Sequence, residues 1–515
     1  MVQNGADAMK TSPGRIEVQL SNRCLYVANQ GTPLTDEGVH ALLSSHVSRK
    51  RSDEIGRFGL GFKSVAALTD SPQIFSRSGS LGFDRGESAD AIRAVVPAAP
   101  KFPLLRLARP LDPDEWAERD PQLADLMTWA QTVVRVPLKG ARVEVSKDLE
   151  SFPRHFVLFS PQVQSLVLDN RGEHDRREIT LVTRPDGVLE LVDRGQRSIW
   201  RVVRTRHRPG KEAVRDAGEL AAREEIELQW AVPLSGAPST GSFWAFFPTE
   251  SYTTLSGIIN APWKLSEDRR NLLEGPFNEE LLTTALPRLV AGALRDLVDP
   301  GNPAAVLDLL PARGKEPRSW ADGVVNIPVM QAVAQGRCLP CLDGRLRHPR
   351  EVRMHPVEVL KAWLEDWREG CRDEAAWVHH DVFNAERRSK AERLMDDASV
   401  MNVVSLQVWL EALVSPPEVS ACSRAVQLVA RIAREASQLR EQATGARVLL
   451  LENGDLRSPK RGRVFVRSDA VETHLDFIHP ELAAIPAARH ACQQQTDLLA
   501  GFFAGTSMTL DPELP

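Results

Sequence analysis

The chain has 515 residues, of which 42% are apolar and 26% charged, an ordinary balance for a globular protein with sizeable cores. A net charge of −5 argues against a chain whose main business is coating nucleic acid, and no apolar run approaches the roughly 20 residues that span a bilayer. The N-terminus lacks the basic and apolar regions of a secretory signal, and six scattered cysteines are too few for a disulfide framework, so a cytoplasmic protein is expected.

The length predicts about three domains at roughly 150 residues each. QNGADA near the start reads as a helix, and LYVANQGTPLT (25–35) as a strand followed by a turn. The polar, Pro-rich passage within 85–126 (RPLDPDEWAERDPQ) reads as an insertion. TVVRVPLKG (132–140) alternates like a strand ending in a turn. SLVLDN, EITLVTR, LELVD and SIWRVVRT follow as β-type runs, and FWAFFP (243–248) as one continuous apolar strand. EELLTTALPRLVAGALRDLV, from 279, has apolar residues at helical spacing, and PGNP (300–303) marks a boundary. Beyond it helical patterns dominate, with Trp363, Trp367 and Trp409 as core residues. CLDGRLRHP (341–349) and LENGDLRSP (451–459) interrupt them. Both read as β-hairpins closed by tight type I′ turns, and as a weak internal repeat.

The most informative stretch is IGRFGLGFKSV (55–65), with Gly56, Gly59 and Gly61 around Phe58 and Phe62. Glycines let a backbone approach a ligand closely, and amides beside a helix start suit phosphate. The preceding SSHVSRKRSDE is polar, so the strand that a dinucleotide-binding fold requires is missing; the Walker A pattern is absent too. IGRFGLGFKS resembles the second glycine box of the GHKL superfamily, which includes heat-shock chaperones, gyrase-type topoisomerases, MutL-type repair proteins and sensor histidine kinases. The wording is nearest the sacsin and heat-shock-chaperone branch.

The resemblance implies an α+β chain. A Bergerat-type two-layer α/β nucleotide-binding domain would occupy 1–150, an α/β transducer-like domain 151–300, and a mainly helical region 301–515. It implies ATP with Mg²⁺, bound by backbone of Gly56, Arg57, Phe58, Gly59, Leu60, Gly61 and Phe62, with 32–56 as a lid. LYVANQGTPLT stands at the first glycine box, so Asn29 takes the place of the acidic residue that bonds the adenine amino group, and Gly31 that of the following glycine. Thr132 takes the place of an adenine-supporting threonine. QNGADA resembles the helix-borne first box, which puts Asn4 at the Mg²⁺ position with Asp7 and Ala8 beside it. Residues at i, i+3 and i+4 share one helix face, as a site facing phosphate and metal together requires. Lys264, Arg269 and Arg270, in TTLSGIINAPWKLSEDRRNLL (253–273), are candidates for the cation that reaches the γ-phosphate.

The family's catalytic Glu falls one residue before Met1, so this chain is expected to bind nucleotide and to hydrolyse it poorly, either as a fragment or as a short form. The expected role is a nucleotide-gated, chaperone-like module whose C-terminal region binds a protein client, with no membrane partner and a homodimer left open. The alternatives are a scaffold with a relic nucleotide site and a DNA repair or defence component. Plainer readings stand beside the sharp ones. Asn4 and Asp7 suit a helix start, Asn29 a turn before glycine, Thr132 a surface strand, and the three cations a solvated turn. Cys338 and Cys341 lack a second ligand pair for zinc at suitable spacing, and His379, His380 and Asp381 read as surface.

Overall fold

One mixed sheet of 14 strands organises the first part of the chain. The computed structural model describes residues 1–43, 65–99, 102–234, 240–312, 319–400, 402–459, 464–467 and 476–492. The fold is α+β, and it forms two compact units: Met1–Ala293 with Leu309–Val329, and Leu294–Asp308 with the chain from Met330 onward. Among the described residues no helix is long and apolar enough to cross a membrane.

The sheet's strands are β1 (Gly14–Leu20), β2 (Cys24–Asn29), β3 (Gln73–Ser76), β4 (Leu81–Gly82), β5 (Arg109–Pro110), β6 (Thr132–Pro137), β7 (Val163–Asn170), β8 (Asp175–Thr183), β9 (Leu189–Asp193), β10 (Gln196–His207), β11 (Ile226–Pro233), β12 (Gly241–Trp244), β13 (Pro248–Thr253) and β14 (Ile258–Asn260). Their order is β13-β12-β14-β11-β10-β9-β8-β7-β1-β2-β6-β3-β4-β5. Pairing is antiparallel except at β1–β7 and β12–β14. The sheet runs without a break across residue 150, where the sequence reading divides two domains.

Helix α1 (Val2–Ala8) buries Gly5 and Ala6 against β1 and β2. Gly5 lets it come close, since a Cβ there would lie 3.1 Å from Ile16 Cδ1. Two carbonyls at its C-terminal end accept from outside the helix. Gln162 Nε2 donates to Ala6 O at 2.9 Å, and Thr32 N–H donates to Ala8 O at 2.7 Å. The core on this face joins Ala6 and Met9 to Ile16, Val18, Leu25, Val27 and Val136.

The 85–126 insertion is largely helical: α2 (Arg85–Val95), α3 (Pro113–Arg119) and α4 (Pro121–Trp129). Leu123 and Leu126 of α4 pack on the opposite sheet face against Tyr26, Ala28, Phe75 and Val133. With both faces covered, every residue of β2 is buried, which explains its unbroken apolar run. Asp120 caps α4 by accepting from Leu123 N–H at 3.1 Å. It also accepts from Tyr26 Oη at 2.8 Å and Arg135 Nε at 2.7 Å. Burial pushes the Asp120 carboxyl up, but the bonds from Arg135, Tyr26 and Leu123 outweigh it and hold the group below the usual carboxylate range.

FWAFFP is not one strand. Phe246 has a left-handed φ of 65°, and its N–H donates to Asn260 Oδ1 at 2.7 Å. The run therefore folds back between β12 and β13.

The second unit packs Trp363, Trp367, Trp377 and Trp409 in its core, with Trp367 and Trp409 stacked at 5.2 Å. His355 stacks on Trp377 and is bonded at both nitrogens, to Val378 O and Trp409 Nε1. The two hairpins are present in matching register, Leu339↔Arg347 with Pro340↔Leu346 and Leu449↔Arg457 with Leu450↔Leu456. Their turns are not type I′. Asp343 and Asn453 keep negative φ, while Gly344 (φ 78°) and Gly454 (φ 89°) are left-handed. Each is a three-residue loop ending in a left-handed glycine. The match extends further. His379 N–H donates to Pro340 O as His479 N–H does to Leu450 O, and Leu342 N–H donates to Trp377 O as Glu452 N–H does to Phe477 O. The repeat is thus a three-stranded module present twice.

Asp120→Ala leaves Arg135 buried without its carboxylate, so the first unit should lose about 3 kcal/mol in urea unfolding; Asp120→Asn should lose less. Burial also holds His155, His355 and His379 at about 4. The unfolded chain takes up those protons near 6.5 and the folded one does not, so stability should fall as pH drops from about 6.5 to 4. Calorimetric melting between pH 7.5 and 4.5 checks this, and a flat melting temperature would contradict it.

Candidate functional site

Three separate stretches of sequence meet on the α1 face of the sheet. The register pairs Asn29 of β2 with Thr132 of β6, and Thr132 with Ser76 of β3. Directly opposed residues of antiparallel strands point to the same face, with Cβ atoms about 5 Å apart. Asn29, Thr132 and Ser76 therefore form a polar row. The next residues inward on that face are Val27, Val134 and Ile74. Thr132, Val134 and Ser76 are only half-buried, whereas Asn29 is 6% exposed.

Helix α1 closes one side of this row. A Cβ on Gly31 would sit 2.5 Å from Ala8 C and 2.6 Å from Ala8 O, both backbone atoms. Only glycine permits that approach. A Cβ on Gly5 would lie 3.5 Å from Asn29 Cβ. Ala8 and Gly31 are thus in direct apposition, with Asn4 and Asp7 half-buried on the same short helix. Asn29 Oδ1 accepts from Gly31 N–H at 3.0 Å, closing the turn after β2.

The hydroxyls are linked. Thr132 Oγ1 lies 3.1 Å from Ser76 Oγ, which accepts from Leu34 N–H at 2.9 Å. Ser78 Oγ donates to Leu34 O at 2.5 Å. Ser76 and Ser78 hold the 31–35 segment on the end of β3, and neither belongs to a motif visible in the sequence. The strand pairing alone reveals Ser76.

Gly56, Arg57, Phe58, Gly59, Leu60, Gly61 and Phe62 lie outside the described residues, as does most of the 32–56 segment expected to form a lid. The stretch resumes at the short helix Val65–Leu68.

Lys264, Arg269 and Arg270 are not brought to this face. They follow β14, which is seven strand positions from β2. Lys264 Nζ donates to Asp216 O at 2.7 Å and pairs with the Asp216 carboxylate, which that bond holds below the usual range. Arg270 pairs with Glu250, and Arg269 occupies a left-handed turn position (φ 60°). Lys264 ties three segments together, because Asn278 also bonds its N–H and carbonyl.

Two other places bring polar groups together. A groove of about 990 Å³ runs along α2 past Asp70, Asp84, Arg85, Asp90, Arg93 and Phe102. Its Asp70 is engaged by Arg85 and Lys139. Among the described residues, His379, His380 and Asp381 are the one group of three His, Cys, Asp or Glu with donor atoms within 4.8 Å of one another. His379 Nδ1 accepts from Asp381 N–H at 3.2 Å as a turn cap, and Arg368 Nη1 lies 3.4 Å from His380 Nε2. A lone pair already used and a neighbouring cation both weaken a metal reading. Cys338 and Cys341 are buried thiols, pushed up to about 12 by burial.

No protein-family model matches the chain, and no curated protein matches it. Among solved structures, one described as the crystal structure of the N-terminal domain of a DNA repair protein aligns at 8% identity and a TM-score of 0.25, covering 54% of this chain and 89% of that one. A likeness this slight bears on neither fold nor function.

Gly31→Ala tests the apposition. The added methyl meets backbone that cannot swing aside, so the first unit should lose about 2 kcal/mol in urea unfolding. Gly187→Ala, in a turn with open space around it, should lose less despite its left-handed φ of 75°. Equal losses would mean that α1 is not held at Gly31.

Proposed function

We propose that this chain binds a purine nucleoside di- or triphosphate with Mg²⁺ at the α1–β2–β6 face, as a nucleotide-gated protein of the GHKL type. ATP is the ligand that the resemblance implies. One observation supports the reading: residues 4–8, 29–31 and 132, singled out from three unconnected stretches, meet on one face of one sheet. A relic site would retain the same fold, so binding is the deciding property.

The chain's own residues divide the work. The polar row of Asn29, Thr132 and Ser76 offers hydrogen bonds to the edge of a base. The half-buried Val134 offers apolar contact beside them. Asn4 would offer a side-chain oxygen, the hard donor that Mg²⁺ takes. An ion held there would neutralise phosphate charge. The helical second unit would then carry a protein partner or client.

Titration calorimetry with Mg²⁺ and ADP, ATP or GDP tests the reading. Binding should also raise the melting temperature, by about 2.7 kcal/mol of added stability at a hundredfold excess over Kd. Asn4→Ala should shrink the difference between titrations run with Mg²⁺ and with a chelator. A protein that melts cooperatively and shows neither heat nor shift with any of the three nucleotides would leave the scaffold reading in place.

A further inference from the structure

The two modules of the second unit match one strand beyond the return strand, and there they differ. In the first, Arg353 lies parallel to Trp377; Arg353 N–H donates to Ala376 O at 2.8 Å and Val378 N–H to Arg353 O at 3.1 Å. In the second, Phe465 lies parallel to Phe477, and Ile478 N–H donates to Phe465 O at 2.9 Å. Phe465 is therefore the counterpart of Arg353, and Val466 that of Met354. Successive residues of a parallel strand turn their backbone groups to opposite neighbours, so Met354 and Val466 face away from the return strand. Met354 is covered on that side. Its N–H donates to Asn402 O at 2.8 Å, and Val404 N–H donates to its carbonyl at 3.3 Å. Asn402 Nδ2 also donates to Pro349 O and Val352 O. Val466 packs its side chain on the apolar core of the unit, yet among the described residues nothing bonds its N–H or its carbonyl. A strand edge with open backbone groups is a template for a further strand.

We propose that the Val466 edge is the seat of the chain's own segment Phe502–Ala504, added as a parallel strand in the way that Asn402–Val404 is added at Met354. The distance along the chain names this occupant. In the first module the helix Ala385–Asp397 follows the return strand, and Asn402 comes after it. In the second, residues 486–492 are helical, and Cys492 is buried as Ala391 is in the first. Phe502 stands as far beyond His479 as Asn402 stands beyond His379, and it lies within LLAGFFA (498–504), an apolar run without a charge. Burial of such a run against an apolar strand edge takes it out of water while the backbone bonds are made. The amide of Asn402 has no counterpart at Phe502, so the second module relies on backbone bonds and apolar contact alone. The inference is independent of the nucleotide reading.

The test is amide hydrogen exchange, read at single residues on the full chain, with Met354 as the internal reference for Val466. Both amides should be protected in the wild type. Phe502→Asp combined with Phe503→Asp should speed exchange at Val466 about tenfold and leave Met354 unchanged. A Val466 amide unprotected in the wild type would overturn the proposal, since the edge would then be open. Protection that survives the double substitution would overturn it as well, because other residues would then cover the edge. Protection that falls on dilution would place the added strand in a second copy of the chain and overturn the intramolecular seat. If the double Asp variant does not melt cooperatively, Phe502→Ser with Phe503→Ser takes its place, and the wild-type readings at two concentrations stand in either case.

Discussion

The contact between Ala8 and Gly31 is the constraint on which the site depends. Two backbone segments approach so closely that no side chain fits between them, and Thr32 N–H fastens the gap by donating to Ala8 O. The position of α1 follows from this contact, and α1 in turn covers Asn29. The turn after β2 must be tight enough to present Gly31, and the Asn29 oxygen makes it so. The seat of the helix and the closing of the turn are therefore set together.

The opposite face supplies the rigidity. Asp120 joins a helix start, a strand tyrosine and a strand arginine through one carboxylate, with Arg135 also reaching Gln73 on β3. Buried charges of this kind need every lone pair satisfied, so they fix one arrangement and penalise others. β2 is thus gripped by apolar packing and α1 on one side and by a polar clasp on the other. A strand held in that way can place a side chain such as Asn29 with little play.

Much of this was readable from the amino acids, and the limits are instructive. The helix at QNGADA, the strands at LYVAN and TVVRVP, and the four β-runs after residue 163 follow from local pattern, because each buries residues at a regular period. Strand neighbours do not follow from local pattern. Ser76 lies between motifs and meets Thr132 only through the β3–β6 register. The FWAFFP run misleads because an apolar sequence says nothing of a left-handed residue inside it; the cause lies in Asn260, a distant partner. Asp-Gly and Asn-Gly correctly announce hairpins, but a longer loop satisfies the same glycine with a different turn. Lys264, a candidate γ-phosphate cation in the sequence, is paired with Asp216, a partner far away in the chain that local pattern does not reveal.

The paired modules of the second unit have an implication for how such a chain tolerates change. In both copies the hairpin and its closing strand keep the same hydrogen bonds, while the connection from Leu346 to Trp377 is longer than that from Leu456 to Phe477. The longer connection contains the helix Lys361–Gly370, whose Trp363 and Trp367 enter the core. Length can therefore vary between hairpin and return strand without loosening either. The stretch between hairpin and return strand is thus where one copy of the module gains tryptophans for the core without altering the bonds of the module itself.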